Sequence, residues 1–395
     1  MVLVTMHILS IETSCDETAV SIVEALGTFP HARYHIKGNA LFSQIDIHRE
    51  YGGVFPMIAK REHAKTLVPM LERALGEASM LTQEEHALGA SEQSNLMETL
   101  VREPGLGESL THFLEQYSKP DIDLIAVTTG PGLEPALWVG INFARALSQA
   151  WNVPVVSVNH MEGHVLSSIF DGETIPELAF PAISLLISGG HTELILIKEW
   201  GHYERIGETR DDAVGEAFDK VARMLGLPYP GGPEISKYAR EARERNITTP
   251  VQLPRPMLDS QDFDFSFSGL KTAVRYALEK QKMTKDEERG IARDFEESVT
   301  TVLLRKTMKA VERYGAQTVI IGGGVSANTY IRESFTNSFR EAYPMVTVYV
   351  PPQNLSTDNS VMIALAGHSK KDDAEAPSHL TQLQANGNLS LGEAL

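Results

Sequence analysis

The sequence predicts an α/β protein in which a mixed β-sheet with flanking helices occurs twice. Residues 7–24 contain two strand-length apolar runs separated by a polar turn at 12–17. Residues 182–200 repeat this arrangement with a tight turn at 188–192. Strands and helices alternate between and after these hairpins, which favours parallel or mixed sheets. Because each hairpin opens one half of the chain, we expect a duplicated fold with a nucleotide or phosphate between its halves.

The composition excludes several classes of protein. The chain has 395 residues, 42% apolar and 22% charged, and is long enough for two domains. It shows no apolar run of membrane-spanning length and no signal-peptide pattern, so we expect a cytoplasmic protein without membrane contact. Cys15 is the only cysteine, which excludes an internal disulfide and a cysteine zinc cluster. The formal net charge of −17 argues against nucleic-acid binding without a local basic patch or a partner protein.

The further elements follow from apolar periodicity and from the positions of glycine and proline. Strands are predicted at residues 123–128, 153–158, 317–321 and 346–350. Helices are predicted at residues 64–75, 134–150, 211–225, 234–245, 294–314 and 360–369, with a rigid loop at 229–233. Residues 76–120 carry eight acidic and two basic residues, and we expect a polar insertion there, either helical or mobile, without catalytic residues.

Two histidines have the spacing of a metal site. His160 and His164 lie four residues apart where a helix is expected, so both imidazoles leave the same helix face. Divalent metals are often bound by neutral histidines at this spacing. A third ligand must come from elsewhere in the chain, and the spacing does not identify it. Glu162 lies one residue away from the general-base position in the HExxH motif, which argues against a zinc protease.

Two glycine-containing turns are candidates for an anion or nucleotide site. Residues 188–190 form a turn whose glycines allow backbone N–H groups to approach a phosphate, although an ordinary β-hairpin explains the same pattern. Residues 322–324 end a strand and precede a helix capped by Asn328, an arrangement that favours anions but also occurs as a purely structural turn. The sequence contains neither a Walker A motif nor a GxGxxG motif.

Charged side chains form three further groups. Asp219 could hold a ribose or substrate hydroxyl, although a Glu216–Lys220 ion pair explains the charges around it. The other two groups are locally basic and are either solvated faces or nucleic-acid contacts. The first comprises His48, Arg49, Lys60, Arg61 and His63, and the second comprises Lys237, Arg240, Arg243 and Arg245.

Nine motifs together resemble one family of enzymes. They are SIETSCDETAVSIVE (10–24), GGVFPMIAKREH (52–63), GPGL (130–133), NHMEGH (159–164), SGGHTEL (188–194), GEAFDKVARMLGLPYPGGP (215–233), FSFSGLKTAV (265–274), GGGVSAN (322–328) and Asp358-Asn359. In this order they resemble the TsaD family of tRNA N6-adenosine threonylcarbamoyltransferases, once described as glycoproteases. The insertion at 76–120 lies outside the family pattern.

The resemblance implies the two-lobed fold of actin, hexokinase and Hsp70 (the ASKHA fold), with the adenylate substrate, ATP or AMP in the cleft. On this basis we expect an N-terminal lobe at 1–158, including the insertion, and a C-terminal lobe at 159–358 with the substrate and metal site. The helix at 360–369 could return to the first lobe. The remaining tail, 370–395, is expected to be polar and frayed.

The resemblance also implies roles for individual residues. His160, His164 and Asp358 would hold one divalent ion, iron or zinc. The residues expected to contact the adenylate are Leu186, Ile187, Ser188, Gly189, Gly190, Asp219, Gly232 and Asn328. The backbone N–H groups of residues 188–190 are expected to stabilise the negative charge that develops in the reaction. His191 is the candidate general base or positioning residue, and Asp16 and Glu17 are candidate helpers.

The implied reaction is an acyl transfer in tRNA modification. The family moves a threonylcarbamoyl group from threonylcarbamoyl-AMP to N6 of adenosine 37 in tRNAs that read ANN codons (t6A synthesis), and AMP leaves. The implied partners are tRNA, a paralogous subunit and a small ATPase, and the two basic groups are candidate tRNA contacts. The alternatives are a small-molecule kinase of the same fold, a metalloprotease, and a nonenzymatic nucleotide-gated binding module.

Overall fold

The computed structural model describes residues 4–249, 251–280, 283–380 and 383–392. Its strands are β1 (Thr5–Glu12), β2 (Glu17–Leu26), β3 (Arg33–Ser43), β4 (Leu124–Gly130), β5 (Val155–Asn159), β6 (Ala182–Ile187), β7 (Thr192–Glu199), β8 (His202–Glu208), β9 (Thr318–Gly322) and β10 (Thr347–Tyr349). Its helices are α1 (Ile45–Arg49), α2 (Pro56–Glu77), α3 (Ala90–Thr99), α4 (Leu106–Gln116), α5 (Glu134–Trp151), α6 (His160–Ile169), α7 (Val214–Met224), α8 (Gly231–Glu244), α9 (Ser268–Lys280), α10 (Lys285–Tyr314), α11 (Thr329–Ala342) and α12 (Ser360–Ser369).

The chain forms two units, each built on a five-stranded mixed sheet. Unit 1 comprises Met1–Glu177 and Asp358–Leu395, and unit 2 comprises Leu178–Thr357. The strand order is β3-β2-β1-β4-β5 in unit 1 and β10-β9-β6-β7-β8 in unit 2. In both sheets a three-stranded antiparallel meander is followed by two parallel strands. The predicted α/β fold with duplicated mixed sheets is therefore confirmed.

The division between the units lies at residue 177, whereas the sequence places it at residue 158. Helix α6 belongs to unit 1 because it packs against α12, which also returns to that unit. The close approach is visible at Gly163, where an added Cβ would lie 3.0 Å from Cγ of Met362. Consequently His160, His164 and Asp358 all lie in unit 1 and not in a C-terminal lobe.

Helices cover both sheets, so the central strands are buried along most of their length. In β1, Ile8, Leu9 and Ile11 are all fully buried, as expected for a strand with elements packed on both faces. Leu9 and Ile11 join the core beneath α2 and α5, and α12 also packs against β1. In the described residues, no helix combines the length and the apolar character needed to cross a membrane.

The acidic insertion is helical. Helices α3 and α4 occupy about half of it and contribute Leu96, Leu106, Leu110 and Phe113 to the core of unit 1. Their polar side chains face outward, which explains why the stretch looks like an insertion of low hydrophobicity. Of the two alternatives for residues 76–120, the structure therefore supports polar helices.

Several predicted bounds and the expected disorder of the tail are wrong. Helix α2 begins at Pro56, eight residues before the predicted start at residue 64. Helix α8 begins at Gly231, so the expected rigid loop at 229–233 ends inside a helix. Helix α10 begins at Lys285, nine residues earlier than predicted, after a capping box formed by Thr284 and Glu287. The tail is ordered in its described part: Leu383 is fully buried, and the Asn386 N–H donates a hydrogen bond to the Thr129 carbonyl oxygen at 2.9 Å.

Candidate active site

Three side chains of unit 1 form a compact group of nitrogen and oxygen donors. Asn159 caps α6 by accepting a hydrogen bond from the Met161 N–H, and the helix then places the rings of His160 and His164 with centroids 4.7 Å apart. Asp358 comes just before α12, and its Oδ1 lies 3.1 Å from Nε2 of His164 and 3.5 Å from Nε2 of His160. One potential ligand atom from each of the three side chains lies within 4.8 Å of the others.

Burial and charge both act on this group. Burial lowers the pKa of His160, but the charges of Glu12 and Asp358 raise it by more, so the pKa ends well above its usual value. Burial raises the pKa of Asp358, but the charge of His160 and its hydrogen bond lower it by more, to well below the usual range. Burial lowers the pKa of His164.

The group fits a divalent transition metal. Two imidazole nitrogens and one carboxylate oxygen are a donor set that zinc and iron accept, and they leave coordination positions open for a substrate. His164 is almost fully buried, and its Nδ1 has no hydrogen-bond partner among the described residues. Asp358 brings a negative charge between two buried imidazoles, and a bound cation would stabilise that charge.

Sequence reasoning missed one buried carboxylate beside the group. Glu12 ends β1, is 0% exposed, and its Oε2 lies 3.0 Å from Nδ1 of His160. Burial raises the pKa of Glu12, but the charge and hydrogen bond of His160 lower it by more, so the pKa lies below its usual value. The available signal was an acidic residue at the carboxyl end of an apolar strand, a position from which a side chain can reach a site at the sheet edge.

Two of the candidate catalytic residues lie next to each other between β1 and β2: Asp16 is in the turn, and Glu17 is the first residue of β2. Asp16 is buried and Glu17 is half-buried, and Ser43 Oγ donates a hydrogen bond to Glu17 Oε1 at 3.2 Å. Burial raises the pKa of Glu17 well above its usual value, and the negative charges of Asp16 and Asp358 raise it further. Burial also raises the pKa of Asp16. The pair therefore lies close enough to Asp358 to feel its charge.

The turn between β6 and β7 lies in unit 2. Leu186 and Ile187 are buried in β6, whereas Gly189 and Gly190 are exposed and an added Cβ at either would meet open space. The Ser188 N–H donates to the His191 carbonyl oxygen at 2.9 Å, and the His191 N–H donates to Ser188 Oγ at 3.0 Å. The expectation that the N–H of residue 188 faces a ligand is therefore wrong, because the turn already uses it.

The other expected substrate residues also lie in unit 2. Asp219 Oδ1 accepts a hydrogen bond from the Gly231 N–H at 2.7 Å, at the start of α8, and Gly232 follows. The expected Glu216–Lys220 ion pair is present at 2.7 Å.

Asn328 caps α11 as predicted, by accepting a hydrogen bond from the Ile331 N–H at 2.9 Å. Its amide nitrogen donates to Ser236 Oγ at 2.8 Å and to Glu296 Oε1 at 2.7 Å. Three hydrogen bonds therefore hold this side chain in one orientation.

The two basic groups are smaller than predicted. His48 and His63 are buried; burial lowers the pKa of both, that of His63 to about 4, so neither is a cationic surface group near neutral pH. Arg243 pairs with the buried Glu296, and Arg245 pairs with Asp286 at 2.8 Å. The exposed cations are Arg49, Arg61, Lys237, Arg240 and Arg245, of which Arg49, Arg61 and Arg245 pair with acidic neighbours, whereas Lys60 is half-buried.

Comparison with known proteins identifies the family. The sequence model of TsaD, described as tRNA N6-adenosine threonylcarbamoyltransferase, matches residues 35–92 and 109–365. The unmatched stretch, 93–108, lies within the acidic insertion and is shorter than the 76–120 expected. A full-length HypF structure, in a phosphate- and nucleotide-bound form, aligns with 94% of this chain and 47% of its own at a TM-score of 0.50 and 12% identity. That likeness concerns the fold alone and agrees with the predicted ASKHA fold.

Relatives of similar length carry the same name as the family. The tRNA N6-adenosine threonylcarbamoyltransferase of Nitrosospira multiformis is 40% identical over 373 residues, which cover 94% of this chain and 93% of the relative. The one of Bacillus licheniformis is 42% identical over 364 residues, which cover 92% of this chain and 91% of the relative. The chain therefore belongs to the TsaD family, the tRNA N6-adenosine threonylcarbamoyltransferases, and is a transferase.

Proposed function

We propose that the protein transfers the threonylcarbamoyl group from threonylcarbamoyl-AMP to N6 of adenosine 37 in ANN-decoding tRNAs, with release of AMP. The observation that supports this most is the group of two buried histidines, His160 and His164, with the half-buried Asp358, in a chain that shares about 40% of its residues with enzymes of this name. An exocyclic adenine amine is a weak nucleophile, so the acyl donor must be activated and held in position. The adenylate provides the leaving group.

One divalent ion, iron or zinc, is the cofactor of this proposal. His160, His164 and Asp358 would hold it, and it would supply Lewis-acid stabilisation of a carbonyl or phosphoryl oxygen. Metal analysis of the purified protein by mass spectrometry distinguishes the two metals.

The adenylate is assigned to residues of unit 2. Gly189 and Gly190 are exposed residues without side chains, so a phosphate or a developing negative charge can approach their backbone closely. Asp219 and Asn328 fix the starts of α8 and α11, where backbone N–H groups favour an anion. The proposed adenylate contacts also include Leu186, Ile187, Ser188 and Gly232.

The proton released from N6 requires an acceptor. The candidates are His191 and the Asp16–Glu17 pair. The pKa of Glu17 is raised and is therefore closer to pH 7 than the pKa of an ordinary carboxyl group, which favours proton transfer near pH 7. His191 also closes the turn that carries Gly189 and Gly190, so a positioning role is assigned to it.

The substrate tRNA is expected to need partner proteins. An anticodon loop exposes unpaired bases, so adenosine 37 can be reached without opening a duplex. With a net charge of −17, the chain offers few cations for the phosphate backbone. We therefore propose a paralogous subunit and a small ATPase as partners, the cytoplasm as the location, and Arg49, Arg61, Lys237 and Arg240 as candidate tRNA contacts.

The alternatives are not favoured. Glu162, the acid nearest to a protease-like position, is 2% exposed and pairs with Lys370 Nζ at 2.8 Å. It is therefore not available as a general base at the metal group. A small-molecule kinase or a nucleotide-gated module does not require a buried group of two histidines and one aspartate.

A transfer assay tests the proposal. Purified protein is mixed with threonylcarbamoyl-AMP and unmodified ANN-decoding tRNA, and the digested nucleosides are analysed by mass spectrometry. We expect product from the wild type and from His112→Ala, an exposed histidine in α4, and a loss of at least about 100-fold in His160→Ala. Equal product from His160→Ala would refute the role of the metal. No product from the wild type, even with the partner subunits added, would refute the function.

A further inference from the structure

Glu12 is held by three hydrogen bonds in the interior of unit 1. Its Oε1 accepts from the Ser14 backbone N–H at 2.5 Å, and its Oε2 accepts from Thr128 Oγ1 at 2.6 Å. The same Oε2 lies 3.0 Å from Nδ1 of His160. The carboxylate thus connects β1, the following turn, β4 and α6. A buried carboxylate with donors on both oxygens is fixed in position and acts as an acceptor.

This contact determines which nitrogen of His160 is available to a metal. A neutral imidazole carries one N–H, and the nitrogen that donates it cannot bind a metal at the same time. If Nδ1–H donates to Glu12, the lone pair is on Nε2, the atom that faces Asp358. Histidine ligands commonly donate their second ring N–H to a carboxylate in this way.

The two histidines of the group differ in this respect. Nδ1 of His164 has no hydrogen-bond partner among the described residues. Ser14 Oγ lies 3.2 Å from Nδ1 of His160 and is a second possible acceptor. A carboxylate forms a stronger hydrogen bond with an imidazole N–H than a hydroxyl does, so Glu12 is the dominant partner.

We propose that Glu12 is a positioning residue that fixes the tautomer and orientation of His160 and thereby sets the affinity of unit 1 for its metal. The inference rests on the metal site of the proposed function and adds a residue that does not touch the metal. Loss of such an outer carboxylate weakens metal binding by roughly 10- to 100-fold in other proteins.

The substitution Glu12→Gln tests the proposal because an amide has only one acceptor oxygen. If that oxygen faces His160 and Thr128, the amide NH₂ opposes the Ser14 N–H. If the amide is turned around, its NH₂ opposes Nδ1–H of His160 and favours the wrong tautomer. In both orientations at least one donor loses its acceptor, although the volume of the side chain hardly changes.

The experiment measures binding of Co²⁺ and Zn²⁺ to the metal-free full-length chain in competition with a chromophoric chelator. We expect Glu12→Gln to lower the affinity by roughly 10- to 100-fold and to change the visible spectrum of bound Co²⁺. Two variants are controls. Glu162→Gln changes a buried carboxylate of α6 that pairs with Lys370, and Ser14→Ala removes the competing hydroxyl. Both should bind the metals within about threefold of the wild type, because Glu12 remains in place.

The outcomes separate this proposal from the proposed function. If the wild type and Glu12→Gln bind the metals with equal affinity, the role of Glu12 is overturned and the metal site remains. If only Ser14→Ala loses metal affinity, the role of Glu12 is also overturned, and the metal site again remains. If the wild type binds neither ion, the metal site fails and this proposal fails with it. Urea unfolding of the metal-free variants shows whether a weaker binder is also a poorly folded one.

A second measurement needs no substitution and decides the matter if Glu12→Gln does not fold. Nitrogen-15 NMR of the histidine rings in the zinc-loaded wild type identifies the nitrogen that carries the proton. We expect His160 to be protonated at Nδ1 and bound through Nε2. Binding through Nδ1 would overturn the proposal.

Discussion

At the scale of single residues, buried histidines outside the metal group contribute to the pH dependence of stability. His63 is fully buried; its Nδ1 lies 2.8 Å from Thr18 Oγ1 and its Nε2 lies 3.0 Å from the Cys15 carbonyl oxygen. Burial lowers its pKa from 6.5 to about 4. As the pH falls below about 6.5, the unfolded chain takes up this proton first, so the folded state loses stability.

We therefore expect the free energy of unfolding to fall by about 2 kcal/mol through His63 alone between about pH 7 and pH 5. Urea titrations followed by tryptophan fluorescence measure this difference. His63→Gln should remove that part of the pH dependence and leave the part that comes from His368, whose pKa burial also lowers to about 4. The same pH dependence in the wild type and in His63→Gln would contradict the assignment.

The metal group shows how far residue spacing can predict a site. The i, i+4 spacing of His160 and His164 indicates two ligands, because local helix geometry alone brings them to one face. Asp358 is 194 residues from His164, and Glu12 is 148 residues from His160. Only the packing of α12 against both α6 and β1 brings these carboxylates close, and no local pattern encodes that packing. The sequence reached Asp358 through a family resemblance and did not reach Glu12.

At the scale of elements, the turn between β6 and β7 is a candidate contact that a methyl group can test. An added Cβ at Gly190 would meet no atom within 4 Å, so Gly190→Ala should change the free energy of unfolding by less than about 1 kcal/mol. If a substrate approaches this backbone, the same methyl group should raise the KM for threonylcarbamoyl-AMP by roughly tenfold or more. Steady-state kinetics and urea unfolding of the same preparation measure both quantities.

A second glycine provides the contrast. At Gly215 an added Cβ would lie 2.6 Å from the Ser188 carbonyl oxygen, so Gly215→Ala should disturb the turn itself and lower stability. An unchanged KM in Gly190→Ala would show that the substrate does not approach the turn at this position.

Element boundaries were predicted well where a local signal was recognised. Helix α12 occupies the predicted residues 360–369, and Asn328 caps α11 as expected. The start of α10 was missed, although Thr284 and Glu287 carry the capping-box pattern. Helix α3 was hard to predict because only Leu96 is buried in it, whereas α4 was left open although Leu106, Leu110, Phe113 and Leu114 have the spacing of an amphipathic helix.

At the scale of the whole molecule, the repeated hairpin predicted the duplicated sheet, and both sheets have equivalent strand orders. The division between the units could not be placed from the sequence because the chain leaves unit 1 and returns to it. The return begins at Asp358, so one unit is discontinuous. The polar composition of residues 370–395 predicted a frayed tail, because polar residues separate the few leucines that are buried in unit 1.

The tail provides a test of how unit 1 is completed. The Glu375 N–H donates to the Val155 carbonyl oxygen at 2.7 Å and the Val155 N–H donates back at 3.0 Å, which ties the segment to β5. Leu383 and Leu389 are buried, and each buried leucine contributes about 1.5–3 kcal/mol. A chain ending at Lys370 should therefore show a lower thermal midpoint and weaker hydrogen-exchange protection in β5. A chain ending at Gly392 keeps all these contacts and is the matched control. If both chains unfold at the same temperature, the buried leucines do not stabilise unit 1, and the sheet of unit 1 is equally stable without the tail.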